Sequence, residues 1–417
     1  MPENFHIDMP EAVRNIIHTI EEHGFKAYAV GGCIRDSILG RNPDDWDITT
    51  SAVPSQIKTF FKRTVDTGIA HGTVTIMIDK TGYEVTTYRI DGEYEDGRHP
   101  KSVEFSDRLV DDLCRRDFTI NAMAYNDTDG FVDEFKGLDD LDTKIIRCVG
   151  EPELRFTEDA LRMMRAIRFS AQLGFTIDEA TWNAIKKLSP SISKISMERV
   201  HVELGKTLMS AHPDYVAQYS EAGLFAPILP VIDNALKSRY KRKILATLQH
   251  TPDNIYLRYA ALFITSTPDE AAKTLRALKL DNKTVNTVSK LVELSKMDIE
   301  ETEPAVRTAL NKYGRDFLPL WHELMMAVIQ ASEDITGISN PAKVKHLLTL
   351  KRLVTDILAR GDCFTIKDLD ISGNDLIEYG LQGHEIGETL KSLLDIVIEN
   401  PKLNDKATLI AMIEHIK

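Results

Sequence analysis

The chain has 417 residues, 43% of them hydrophobic, and carries a net charge of −13 from 51 basic and 64 acidic side chains. Such a length exceeds one core and implies about two to four domains, while the lack of any long apolar stretch or opening signal peptide excludes a membrane protein and points to a soluble one. Cys33, Cys114, Cys148 and Cys363 are scattered without metal-ligand spacing and fit free thiols in a reducing cytoplasm. Acidic charge spread evenly would also exclude a nucleic-acid partner, because phosphate contacts need basic residues.

In chain order, Lys26–Val30 reads as a short buried strand and Ile34–Leu39 as a helix stopped by Gly40. Gly31 and Gly32 then sit at a strand-to-helix turn, where missing β-carbons let backbone N–H groups approach a phosphate, with Arg35 in reach of the same anion. The turn lacks the third glycine of a dinucleotide fingerprint and the Gly-Lys-Ser/Thr ending of a P-loop.

Trp46–Thr50 reads as the next strand, following the turn Asn42-Pro43-Asp44. Strand alternation puts Asp45 and Asp47 on one face and turns Trp46 into the core. Two carboxylates so close repel unless a cation intervenes, and Mg²⁺ is the expected guest. Alone, a Gly-Gly pair is an ordinary turn and an Asp-x-Asp a solvated surface. Their order and spacing together point to metal-assisted nucleotidyl transfer.

Glu84, in the alternating strand Tyr83–Arg89, is either a third acid of this site or an outward residue on a half-exposed strand. Arg115-Arg116-Asp117-Phe118-Thr119-Ile120-Asn121-Ala122 is expected to start a helix, its paired arginines suiting either a triphosphate or ordinary surface ion pairs. Thr157 reads as the N-cap of a helix running through Arg168, on which Asp159 and Arg162 are neighbours three residues apart. That pair is either an acid favouring the helix dipole beside an arginine, or a base sensor. As a sensor, Asp accepts and Arg donates, matching the amino group and ring nitrogen of cytosine or adenine and mismatching uracil and guanine. Past about Gly150 the pattern becomes helical. Lys237–Lys243 is a basic cluster that either tracks an RNA backbone or forms a solvated helix face. Gly380–Gly387 reads as a glycine turn opening a helix, either an RNA phosphate contact or a plain connector.

The runs GGCIRDSILGRNPDDWDITT, RRDFTINAMAY, TEDALRMMRAIRF and ISGNDLIEYGLQGHEIGETLKSLLDIV resemble the class II tRNA nucleotidyltransferases, the bacterial CCA-adding enzymes, over most of the chain. The resemblance implies an α+β fold: a polymerase-β-like nucleotidyltransferase head with a mixed sheet at 1–149, then an elongated all-helical neck at 150–205, body at 206–275 and tRNA-binding tail at 276–417. It implies that Gly32 and Arg35 bind the nucleotide, that Asp45 and Asp47 hold Mg²⁺, and that Arg116 contacts the triphosphate. Asp159 and Arg162 would read the base, and Arg165 and Arg168 would complete the nucleotide pocket, although Arg168 falls nearly opposite Asp159 on an ideal helix. A mobile loop would span Asp91–Lys101, with His99 where an arginine is common in the family. The implied activity is addition of C, C and A to the tRNA 3′ end from CTP and ATP by two-metal chemistry. The rivals are a poly(A) polymerase, a CC-adding or A-adding relative, and a noncatalytic tRNA-binding protein. Oligomeric state is not legible.

Overall fold

The structure, a computed structural model, describes residues 6–92 and 103–416. The chain divides into two compact units, Met1–Pro230 and Val231–Lys417.

In the first unit, α1 (Glu11–Glu22) buries Val13, Ile16, Ile17 and Ile20, spaced to form one apolar stripe against the sheet that follows. Then come β1 (Ala27–Val30), α2 (Gly32–Ile38), β2 (Ile48–Thr50), α3 (Pro54–Phe60), β3 (Thr64–Gly68), β4 (Thr73–Ile78), β5 (Thr81–Thr87), β6 (Arg89–Asp91), β7 (Val103–Phe105), α4 (Leu109–Cys114), β8 (Ala124–Asn126) and β9 (Gly130–Val132). Seven strands form one sheet in the order β3-β4-β5-β2-β1-β8-β9. It is mixed, because β2 and β5 run parallel while its other pairings are antiparallel. Next to the central β2 lies the fully buried β1, whose Tyr28 and Val30 join Tyr88, Leu113, Ala122, Ala124 and Val149 in one apolar cluster.

Helical structure then takes over with α5 (Gly137–Asp142), the two-residue β10 (Ile145–Ile146), α6 (Pro152–Glu158), α7 (Leu161–Leu173), a short β11 (Thr176–Ile177), α8 (Glu179–Leu188) and α9 (Met197–Leu208). The shift to helices near Gly150 is as expected, apart from β11, which pairs in parallel with β10.

Three expectations are corrected here. The strand expected at Trp46–Thr50 begins only at Ile48, although the Asp47 carbonyl already accepts a bond from the Val30 amide. The strand expected at Tyr83–Arg89 ends at Thr87, and Arg89 opens β6 in a separate two-stranded ribbon with β7. Arg115–Ala122 does not start a helix. Arg115 caps the end of α4, and a single 3₁₀ turn, Thr119–Asn121, follows. The reason is Asp117, whose carboxylate takes the Phe118 amide and the Asn121 side-chain amide and so offers the backbone a local alternative to an α-helix.

The second unit is helical, from a helix whose last residue is Lys237 to one at Lys406–Ile416. Arg307, 2% exposed, is a buried tie within it: its guanidinium donates to the Ile398 carbonyl and pairs with Asp362 and Glu303. The basic cluster straddles two helices, and its Lys237 pairs with Asp233. The glycine turn is present, with Gly383 at φ +58 capping the helix His384–Glu399. Among the described residues no helix is long and apolar enough to cross a membrane, and all four cysteines are free.

Candidate active site

The strand-to-helix turn is built as the glycines require. Gly31 caps α2 at φ +86, in the left-handed region, and a β-carbon there would stand 2.8 Å from Arg116 Nη1. Gly31 therefore allows the Arg116 guanidinium to lie directly against the turn. Arg116 is anchored from behind by the fully buried Asp112, which also takes Arg115. Burial pushes the Asp112 carboxyl up, but the two guanidinium groups outweigh it and hold the pKa below the usual range. Arg116 Nε is buried without an acceptor. An unpaired cationic donor in such a place favours an incoming anion.

Arg35 projects from α2 and is 9% exposed, donating to Asn121 Oδ1 at 2.6 Å and pairing with Asp36 at 2.8 Å. Gly32 is the first residue of that helix.

Asp45 and Asp47 keep solvent access on either side of the buried Trp46, the alternation the sequence implies. Pairing of Ile48 with Val85 sets a parallel register that, carried one residue back, brings Asp47 beside Glu84. The electrostatics agree. Protein crowding raises the Asp47 carboxyl, with Arg116 opposing and Asp45 adding to the rise, and Glu84 is raised by desolvation, Asp47 and Asp45. The three carboxylates thus add to one region of negative charge that Arg116 only partly offsets, and their hard oxygen donors have a chemistry that suits a divalent cation. Among the described residues no three His, Cys, Asp or Glu side chains form a group that could hold a metal ion.

The base-reading segment departs from expectation. Thr157 is not an N-cap; it lies inside α6, its hydroxyl donating to the Glu153 carbonyl. The helix breaks at Asp159 (φ −143, ψ 103), whose carboxylate accepts from the Leu161 amide and so serves the start of α7. Asp159 and Arg162 are not paired with each other. Asp159 is held by Arg199 of α9, at 3.2 and 2.7 Å, while Arg162 binds Glu158 at 2.8 Å and the Arg115 carbonyl at 2.9 Å. Arg199 and Glu158 were missed from the sequence. Nothing in the 196–208 pattern separates Arg199 from a solvent-facing helical residue, because its role arises only where α9 packs on α7.

Arg165 and Arg168 turn inward on α7. Arg165 pairs with Asp117 at 2.6 Å, so that Arg35, Asn121, Asp117 and Arg165 form one chain of contacts from the glycine turn to the helix. Arg168 pairs with Glu203 at 2.5 Å. All three arginines lie over the ring of Phe169, with guanidinium carbons 5.0 Å (Arg35), 5.3 Å (Arg165) and 3.9 Å (Arg168) from its centroid.

Burial raises the Asp117 carboxyl, but Arg165 and the Asn121 amide pull it down further, to about 2. A lowered carboxylate pKa stabilises the fold above the unfolded-state value near 4, and that contribution is lost as pH falls through 2. Comparison of chemical unfolding for wild type and Asp117→Asn between pH 4 and pH 2 should show a shallower loss in the variant, by about 2 kcal/mol. Parallel curves would contradict the pairing. Of the expected loop at Asp91–Lys101, residues 93–101, including His99, lie outside the described residues.

Three family models match the chain: Poly A polymerase head domain over residues 27–147, a probable RNA- and SrmB-binding site of polymerase A over 174–236, and tRNA nucleotidyltransferase domain 2 over 253–413. The CCA-adding enzyme of Pediococcus pentosaceus is 34% identical over 418 residues, covering 98% of each chain. That of Limosilactobacillus fermentum is 37% identical over 407 residues, covering 96% of this chain and 95% of its own. Among solved structures, the Bacillus stearothermophilus CCA-adding enzyme in complex with CTP superposes with a TM-score of 0.75 at 32% identity, covering 97% of this chain and 96% of that one.

Proposed function

The chain belongs to the family of bacterial CCA-adding tRNA nucleotidyltransferases, and from that premise we propose that it adds C, C and A to the 3′ end of tRNA from CTP and ATP, releasing pyrophosphate. The observation that carries this reading is the electrostatic coupling of Asp45, Asp47 and Glu84, in the same compact unit as the Arg116 guanidinium laid over Gly31. We place the protein in the cytoplasm, consistent with its free thiols, and keep head, neck, body and tail at 1–149, 150–205, 206–275 and 276–417.

Asp45 and Asp47 are the residues that would hold divalent cation, taken as Mg²⁺, whose chemistry when bound is activation of the tRNA 3′-hydroxyl and neutralisation of phosphate charge. Glu84 adds to the negative field that favours such a cation. Arg116 and Arg35, beside Gly32, orient the triphosphate, and Arg165 and Arg168 close the pocket from α7. Asp159 and Arg162 read the base. The carboxylate of Asp159 has about four acceptor positions, and Arg199 and the Leu161 amide take three, leaving one on Oδ2 for an exocyclic amino group. Arg162 has about five N–H donors, of which Glu158 and the Arg115 carbonyl take two. Both members therefore keep capacity for cytosine or adenine without being paired to each other.

Offering the protein a tRNA lacking its 3′ end, with one labelled nucleotide at a time, tests this reading. Growth by C, C and A followed by arrest is expected. The match to a polymerase A head keeps one rival in view, and a long A ladder would favour it over CCA addition.

A further inference from the structure

We propose that Phe169 is a positioning residue for the nucleotide triphosphate, its ring gathering Arg35, Arg165 and Arg168 into one cationic cradle. The inference rests on the assignment of those three arginines to the nucleotide pocket. Its physical basis is the arrangement around the ring. Arg35 comes from the turn helix α2, whereas Arg165 and Arg168 come from α7, and all three guanidinium groups lie within 5.3 Å of one aromatic centroid.

Three like charges so close would spread apart if nothing held them. Each has its own counter-ion, Asp36, Asp117 and Glu203, so each carboxylate pairs with a different arginine. The Phe169 ring is a partner that all three share. An aromatic face attracts cations through its quadrupole without carrying net charge. A carboxylate in the same place would gather the arginines too, yet it would repel the triphosphate they are to receive. Phe169 is 5% exposed and set edge-on against Phe118 at 5.7 Å, so the ring is locked. An ordinary core phenylalanine would face aliphatic neighbours rather than three guanidinium groups.

The ring therefore acts on phosphate binding and leaves base choice to Asp159 and Arg162. Phe169→Leu and Phe169→Met remove the aromatic face while keeping apolar volume, and Phe169→Tyr keeps the face. In full-length protein with tRNA, each ringless variant should raise KM for CTP and ATP alike by about tenfold, with kcat nearly unchanged, and should weaken inhibition by pyrophosphate in parallel. Rejection of UTP and GTP should stay as in wild type, and Phe169→Tyr should return KM close to wild type.

A merely structural phenylalanine would lower the melting temperature without this KM-against-kcat split. A ringless variant that folds and keeps wild-type KM overturns the proposal, as does a tyrosine variant as impaired as leucine. Arg165→Gln separates the two levels of the argument. If it leaves nucleotide KM unchanged, the pocket assignment itself fails; if it raises KM while Phe169→Leu does not, only the role of the ring fails.

Discussion

Asp47→Ala should lose incorporation of both CTP and ATP by roughly a thousandfold or more, since Lewis-acid stabilisation is worth several kcal/mol and each 1.36 kcal/mol is tenfold in rate. The loss should fall on both nucleotides equally, because the proposed assignment puts Asp47 at the reacting end and the groups that would read the base on α7 and at its entry. A fold defect can be told apart from a chemical one. Asp45 raises the Asp47 carboxyl, and Asp47 and Asp45 raise that of Glu84, so taking away the Asp47 charge relieves repulsion in the free protein. Asp47→Asn should therefore melt no lower than wild type while being as inactive as the alanine variant. Incorporation assays with labelled nucleotide, run beside thermal melts, check both halves. A folded variant that incorporates at wild-type rate would remove Asp47 from the chemistry.

The second large effect is on selection. If Asp159 accepts the exocyclic amino group as proposed, Asp159→Ala removes that acceptor, and the preference for CTP and ATP over UTP and GTP should fall by about 10- to 100-fold, the range set by roughly 1–3 kcal/mol per mismatched buried polar group. Total incorporation should fall less than in the Asp47 variants. Asp159 also supports the start of α7 and holds Arg199, so the variant will lose some stability, and the assay belongs well below its melting temperature. Competition among the four nucleotides gives the ratio directly. Undiminished rejection of UTP and GTP would refute the template role.

The parts of this site that were legible in the sequence are those whose geometry follows from local rules. Gly31 at a positive φ, Trp46 buried between two exposed aspartates, and the change to helices near Gly150 each follow from a residue's own backbone preference or from strand alternation. The misreadings came where side chains compete with the backbone. Asp117 builds a local turn where a helix was expected to start, and Asp159 interrupts the helix expected from Thr157 through Arg168. Arg199, Glu203 and Phe169 were invisible for a different reason. Their significance lies in contacts between α7 and α9 or between α7 and the sheet unit, and one sequence read along its length carries no sign of who will face whom.

The break at Asp159 has a consequence for how fidelity can drift. The carboxylate proposed to read the base sits at the joint between α6 and α7, and Arg162 of α7 reaches back to Glu158 at the end of α6, so both groups depend on that joint. Substitutions along α6 that meet no nucleotide, at Pro152 or Thr157 for instance, are therefore expected to shift acceptor against donor by changing the angle at that joint. Accuracy in this enzyme is thereby exposed to substitutions that an inventory of pocket residues would pass over as silent.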